Sequence, residues 1–226
     1  MDVSERNKKV ALARWKNYRD AQEKKMAKGK EADYWKAAVC GFLAGDGSVQ
    51  VRKDKNQMRH QLDFFPDNDF MRDTYLQAIQ MLYLQKLSVR IRHNVYAVRI
   101  SSRVIVEDIL KYAIFGIKRW NIPKSLLYNN KNKAAWLRAF YSAEGYVGDK
   151  QIKIQTVNKQ GMLEVSKLLN DLGVRHNFYE YSPKSAKHSR VSIIIICKRG
   201  DRERFLKKVG FWHSKKEARL KETLGL

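Results

Sequence analysis

The chain has 226 residues, of which 44% are hydrophobic and 11% aromatic, so it can bury the core of one large domain or two small ones. It carries 46 Lys and Arg against 23 Asp and Glu, and this net charge of +23 favours a polyanionic partner such as nucleic acid. Two distant cysteines exclude a disulfide framework and a zinc ribbon, and no apolar run has the roughly 18–20 residues that cross a bilayer.

The first predicted element is a basic helix. Between Arg6 and Lys30 there are ten Lys or Arg and two acidic residues, with a thin apolar stripe of Leu12, Trp15 and Tyr18. A solvated helix and a clamp on a DNA backbone both fit this composition. Because the N-terminus has no secretory signal pattern, we expect an intracellular protein, cytoplasmic or nucleoid-associated, with an organellar location left open.

A first group of elements follows. Residues 34–46 form an almost uncharged segment of helix length that ends at Asp46-Gly47, and such a segment is expected to be buried nearly all round. Hydrophobic periodicity then predicts strands over 49–53 and 58–65, a helix from about 69 to 85, strands over 87–92 and 95–101, and a helix over 104–115.

The same order recurs in the second half. A helix over 132–144 ends at Glu144-Gly145, and Ser214 to Glu217 predict a capping box for a last short helix. Between them we predict a strand over 151–157, a helix over 159–172, strands over 174–181 and 191–198, and a helix over 201–209. The recurrence predicts an internal duplication.

The two duplicated helices align without gaps when Asp46 is set over Glu144. Small residues recur four positions apart, which lets two helix backbones approach closely. These residues are Gly41 and Gly45 in one helix, and Ala139 and Ala143 in the other. Each helix then ends in a carboxylate and a glycine, which permits a sharp turn.

Two carboxylates at the ends of close-packed helices predict a cation between them. Each lies at the negative end of its helix dipole, so the pair is poorly tolerated alone. Mg²⁺ is the expected occupant, with Mn²⁺ able to substitute, and it would activate water and stabilise a leaving alkoxide. The alternative is that both acids are solvated residues of ordinary turns.

With these two helices the sequence resembles the LAGLIDADG homing endonucleases that carry two motifs in one chain. Val39 to Gly47 (Val-Cys-Gly-Phe-Leu-Ala-Gly-Asp-Gly) is similar to the first motif, and Leu137 to Gly145 (Leu-Arg-Ala-Phe-Tyr-Ser-Ala-Glu-Gly) to the second. The resemblance covers about residues 34–210. It implies an α+β fold with two pseudo-twofold-related αββαββα repeats and curved antiparallel β-sheets. The implied divisions are a basic helical extension over 1–33, a first repeat over 34–120, and a second repeat with C-terminal helices over 121–226.

The resemblance also implies a metal site and a catalytic set. It assigns Asp46 and Glu144 to the metal, together with Gly45 and Ala143. The implied catalytic residues are Asp46, Glu144, Lys150, Lys153, Asn158 and Lys159.

Four of these residues are expected to act around the phosphates. Asn158-Lys159 match a polar-basic pair that orders solvent there, whereas residues 63–67, the equivalent stretch of the first half, contain no such pair. Either Lys150 or Lys153 matches a basic residue that supports catalysis.

The predicted strands have a polar face suited to DNA. Arg, Gln and Asn on antiparallel strands can enter a major groove, where Arg pairs with guanine and Gln or Asn with adenine. The alternative is that this polar face contacts only solvent. In the last strand we place Ser192 on the polar face and Val191, Ile193 and Ile195 opposite. The predicted DNA-binding residues are Gln50, Arg52, Arg59, Gln61, Arg90, Arg92, Lys153, Gln155, Arg175, Asn177, Tyr179, Tyr181, Arg190 and Ser192.

Together these features predict a monomeric, Mg²⁺-dependent, site-specific endonuclease. Its expected partner is double-stranded DNA, with no membrane association. The resemblance implies hydrolysis of both strands of a long asymmetric target, leaving short 3′ overhangs. The alternative is a non-cleaving nucleic-acid binder of the same fold, such as an intron RNA maturase.

Overall fold

A computed structural model describes residues 3–54, 57–92, 95–183 and 189–226. The helices are α1 (Val3–Lys25), α2 (Lys30–Asp46), α3 (Asp69–Tyr83), α4 (Arg103–Leu110), α5 (Asn130–Glu144), α6 (Lys159–Asp171), α7 (Arg199–Lys208) and α8 (Ser214–Leu224). The strands are β1 (Gly47–Asp54), β2 (Gln57–Phe64), β3 (Val89–Arg92), β4 (Val95–Ile100), β5 (Tyr146–Gly148), β6 (Gln151–Thr156), β7 (Asn177–Tyr181) and β8 (Val191–Ile196). In these ranges no helix is long and apolar enough to cross a membrane.

The predicted duplication is confirmed. The order α2-β1-β2-α3-β3-β4-α4 is repeated as α5-β5-β6-α6-β7-β8-α7, with α1 before the first repeat and α8 after the second. Each repeat has a four-stranded antiparallel sheet, with strand orders β1-β2-β4-β3 and β5-β6-β8-β7. The chain therefore has the predicted α+β fold of two αββαββα repeats.

Helices α2 and α5 pack against each other at the centre of the molecule, as the small residues predicted. A Cβ atom built on Gly41 would clash with the backbone carbonyl of Trp136 and lie 2.8 Å from Cβ of Ala139. A Cβ atom on Gly45 would overlap Cβ of Ala143. The helix backbones can approach this closely only because these positions carry glycine.

The duplication extends to the loops between sheet and helix. The side chain of Asn68 caps α3 by accepting a hydrogen bond from the Phe70 amide, and that of Asn158 caps α6 by accepting one from the Gly161 amide. Gly47 faces Phe64 at the start of the first hairpin, and Tyr146 faces Lys153 in the second. Asn68 and Asn158 are therefore equivalent positions of the two repeats.

Two helix ends and one strand differ from the sequence prediction. Helix α1 ends at Lys25, and α4 ends at Leu110 because the next amides bond to carbonyls three residues back. Strand β5 lies between Glu144 and residue 151, where no strand was predicted. The hairpin turns at 55–56 and 93–94 lie outside the described residues.

The cap of α8 also differs from the predicted capping box. The N-cap is His213, whose Nδ1 accepts from the Lys216 amide at 3.3 Å. Glu217 accepts a hydrogen bond from the Phe211 amide at 2.9 Å. Because the motif is shifted by one residue, Ser214 is free to bond to Asn68 of the first repeat at 3.0 Å.

Candidate active site

The two acids predicted to bind metal lie at adjacent helix ends. Asp46 is the last residue of α2 and Glu144 the last of α5, and each is followed by an extended glycine, Gly47 or Gly145. Burial raises the pKa of Asp46 to about 6. Burial also raises the pKa of Glu144, and the charge of Asp46 raises it further. The site therefore holds two carboxylates whose ionised forms are poorly stabilised.

A lysine that the sequence analysis did not select lies beside these carboxylates. Lys216 of α8 donates hydrogen bonds from Nζ to the backbone carbonyls of Ser142 at 2.6 Å and Ala143 at 2.8 Å. Burial lowers its pKa, whereas the charges of Asp67, Asp46 and Glu144 act in the opposite direction. No motif distinguishes Lys216 from its neighbours, so no sequence signal could have found it.

A hydrogen-bonded pair of a histidine and an aspartate borders the site. Nε2 of His213 lies 3.4 Å from Oδ1 of Asp67, and this hydrogen bond is the main cause of the lowered pKa of Asp67. The charge of Asp67 in turn raises the pKa of Asp46. Val157 occupies the corresponding place in the second repeat, two residues after Gln155 of β6, so the two halves of the site differ.

The donors at the helix ends fit a divalent cation that completes its shell from elsewhere. In the part of the chain that the structure describes, no group of three or more His, Cys, Asp and Glu is placed to hold a metal ion. Two carboxylates and nearby backbone carbonyls suit Mg²⁺, which commonly retains water and takes further oxygens from a phosphate. The raised pKa values of Asp46 and Glu144 show that a cation would relieve an existing electrostatic cost.

The expected role of Asn158 is corrected by the structure. Its side chain is buried, with Oδ1 accepting from the Gly161 amide at 3.0 Å and Nδ2 donating to the Trp120 carbonyl at 2.6 Å. A side chain with both ends engaged in this way caps α6 and cannot order solvent at a phosphate. Nζ of the neighbouring Lys159 pairs with Glu180 at 2.5 Å.

The two alternative lysines occupy different positions. Lys153 lies in β6 directly across from Tyr146, two residues beyond Glu144, and its Nζ is 5.9 Å from the centroid of the Tyr146 ring. Lys150 lies in the exposed turn between β5 and β6. The topology therefore favours Lys153 as the lysine nearer to the carboxylates.

The strand register of the first sheet places its predicted polar residues on one face. Gln50 faces Gln61 and Arg52 faces Arg59 across β1 and β2. Arg90 follows the same alternation, and the side chain of Arg92 lies outside the described residues.

Sequence reasoning missed Arg99 on this face. Arg99 is opposite Asp63 in β2, and its Nε lies 2.7 Å from Oδ1 of that buried carboxylate. The alternation of β4 could have identified it, because Val98 and Ile100 on either side are buried.

The second sheet corrects the prediction for β8. Lys153 faces Ile195 and Gln155 faces Ile193, so these isoleucines share the outer face with Asn177 and Tyr179. Ser192 is buried with Ile194 and Ile196 on the opposite face. The run of four isoleucines has no polar alternation, and the sequence therefore did not determine which residues point outward.

Two further residues predicted to bind DNA lie outside the strands. Arg175 precedes β7 and its Nε is 3.4 Å from Oδ1 of Asp201, while Arg190 is exposed before β8. Lys153, Gln155, Asn177, Tyr179 and Tyr181 do lie on the outer face of the second sheet.

The two repeats and their paired carboxylates have the arrangement that the resemblance to the LAGLIDADG proteins implies. Residues 131–210, which contain the second motif, match the LAGLIDADG-like domain. The homing endonuclease I-DmoI of Desulfurococcus mucosus is 23% identical over 150 residues, which span 63% of this chain and 73% of I-DmoI.

Solved structures show the same fold. I-DmoI in complex with DNA and Mn superposes with a TM-score of 0.64 at 21% identity, over 79% of this chain and 97% of I-DmoI. The N-terminal LAGLIDADG domain of DUF199/WhiA superposes with a TM-score of 0.53 at 12% identity, over 79% of this chain and 82% of that domain.

Proposed function

We propose that this protein is a site-specific endonuclease that cleaves double-stranded DNA with a divalent cation. The observation that carries this proposal is the pair Asp46 and Glu144, which end two close-packed helices side by side. Two sheets with Arg, Gln and Lys on their outer faces extend from the same helix ends. The similarity to I-DmoI, a homing endonuclease whose structures contain DNA with Mn, Mg or Ca, supports the same function.

In this proposal each residue has a separate task. Asp46 and Glu144 hold the cation, with backbone oxygens near Gly45 and Ala143 as further ligands. The cation, when bound, lowers the pKa of water and stabilises the leaving oxygen. Lys153 lies beside the phosphate, and the outer faces of the sheets fix the position of the duplex. Because one chain carries both acids, a monomer cuts both strands.

The decisive experiment is cleavage of a randomised DNA library in Mg²⁺, followed by sequencing of the new ends. We expect paired cuts at one preferred sequence with short 3′ overhangs, and none in EDTA. Asp46→Asn and Glu144→Gln should abolish double-strand cleavage while leaving DNA affinity within about tenfold, roughly 1.4 kcal/mol. Lys215→Met, on an exposed position of α8, is the matched control and should cut normally. Full cleavage by Asp46→Asn would exclude the proposed site.

The commitment of Asn158 to a helix cap favours one alternative function. Without a solvent-ordering pair near the phosphates, the same fold could bind nucleic acid without cutting it, as an intron RNA maturase or a repressor would. Sequence-selective binding with no cleavage in Mg²⁺ or Mn²⁺ would support this alternative.

We also propose the divisions 1–33, 34–120 and 121–226 as a basic extension and two repeats. Limited proteolysis near residues 33 and 120 would test them.

A further inference from the structure

The strongest unexplained feature of the site is Lys216, which comes from outside both repeats. Its Nζ donates to the carbonyls of Ser142 and Ala143, in the last turn of α5, where the helix dipole is negative. The charges of Asp46 and Glu144 both act on it. A cationic side chain therefore already lies where the two acids need positive charge.

Contacts with both repeats hold α8 in place beside the site. Ser214 bonds to Asn68 at 3.0 Å, and His213 pairs with Asp67 at 3.4 Å, which ties the start of α8 to the first repeat. Trp212 packs against Phe42 of α2, with ring centroids 5.6 Å apart, and its amide donates to the Ser142 hydroxyl at 2.6 Å. With its backbone fixed on both sides, α8 holds the ammonium of Lys216 against the last turn of α5, beside the helix end that carries Glu144.

We propose that Lys216 is a built-in counter-cation for Asp46 and Glu144, and that it must leave the Ala143 carbonyl for a divalent cation to bind. A carbonyl oxygen bonded to an ammonium is a poor ligand for a second positive charge, and two cations beside the same acids repel each other. Lys216 is thus a positioning residue that stabilises the metal-free site and competes with metal. This inference rests on the metal role assigned to Asp46 and Glu144, but its tests need neither DNA nor cleavage.

The first test compares the thermal midpoints of full-length variants in EDTA and in Ca²⁺. Lys216→Met should lower the midpoint in EDTA because the two carboxylates lose their counter-cation, and Ca²⁺ should restore it. Lys215→Met removes the same charge from an exposed position and should change neither midpoint. A decrease that Ca²⁺ does not restore would indicate only missing hydrogen bonds and would overturn the proposal.

The second test is Mn²⁺ binding, monitored by electron paramagnetic resonance of the free ion. We expect Lys216→Met to bind Mn²⁺ at least about tenfold more tightly than the natural protein, because a competing cation has been removed. Unchanged or weaker binding would overturn the proposal. If the natural protein binds no Mn²⁺ while Lys216→Met does, competition is supported, whereas absence of binding in both would overturn the proposal that Lys216 is what keeps the cation out.

A double substitution tests whether Lys216 acts through the carboxylates. In a Glu144→Gln background one of the two charges that need compensation is gone, so the same substitution should lower the midpoint by less than half as much. An equal or larger decrease in that background would show that Lys216 does not act through the carboxylates.

Discussion

Ionisation of Asp46 destabilises the folded, metal-free protein. Its pKa in the folded state is about 6, above its ordinary value of 3.8, so the folded state holds this proton more tightly than the unfolded state does. Ionisation at pH 8 therefore destabilises the fold, and this destabilisation disappears as the pH falls through 6 towards 4. In the metal-free protein, the ionised Asp46 carboxylate therefore lowers the free energy of unfolding.

Asp46→Asn should consequently stabilise the metal-free protein at pH 8, by roughly 1–3 kcal/mol. The gain should shrink as the pH falls from 6 to 4, because natural Asp46 becomes protonated there. Urea unfolding in EDTA at several pH values measures this. If the difference in free energy of unfolding between Asp46→Asn and the natural protein stays constant across this pH range, the charge of Asp46 is not the cause of that difference.

At the scale of residues, the sequence predicted the acids but not their neighbours. Asp46 and Glu144 are visible because each ends a duplicated apolar helix. The role of Lys216 could not be predicted because it depends on where α8 packs. The role of Asn158 was predicted wrongly because a capping asparagine and a solvent-ordering asparagine look alike in sequence.

The packing of α2 on α5 gives a prediction at the scale of elements. Gly41→Leu should lower the free energy of unfolding by roughly 1–3 kcal/mol or more, because the new side chain meets the Trp136 carbonyl. Gly200→Leu is the matched control, since a Cβ atom there has nothing within 4 Å. Chemical denaturation measures both, and an equal effect of the two substitutions would contradict a tight interface.

Strand β8 gives a second prediction, which depends on the proposed function. Ile193 and Ile195 share the outer face with Gln155 and Lys153, so they can contact thymine methyl groups in a major groove. Replacing thymine by uracil in the target half bound by this sheet should weaken binding by about 1 kcal/mol at the affected positions. Ile193→Ala should remove that difference, whereas Ser192→Ala, on the opposite face, should not. Equal binding of both bases by the natural protein would refute this interpretation.

Helix α1 gives a third prediction at this scale, which also depends on the proposed function. Leu12 and Tyr18 are exposed, whereas Trp15 lies beneath the Arg103 guanidinium and packs against the first repeat. Deleting residues 1–24 keeps Met26 and Ala27, which contact the core. We expect an unchanged cleavage position and weaker DNA binding, with a salt dependence shallower by about 0.9 for each phosphate that α1 no longer neutralises. Equal salt slopes before and after deletion would assign α1 to another role.

For the whole molecule, the duplication could be predicted because two similar hydrophobic patterns recur half a chain apart. The differences between the two repeats could not be predicted. Asp67 follows β2 where Val157 follows β6, and the outer face of the second sheet is partly apolar. Such differences depend on strand register and on the packing of α8. Neither can be predicted from a short stretch of sequence.

The attachment of α8 to Asn68 has a consequence for folding. The hydrogen bond from Asn68 to Ser214 joins residues 146 positions apart, so its formation closes a very long stretch of chain. Contacts of such high sequence separation are late events, since the intervening chain must be ordered first. We therefore expect the link between α8 and the first repeat to be among the last contacts to form, after Lys216 has already docked on α5 within the second half of the chain.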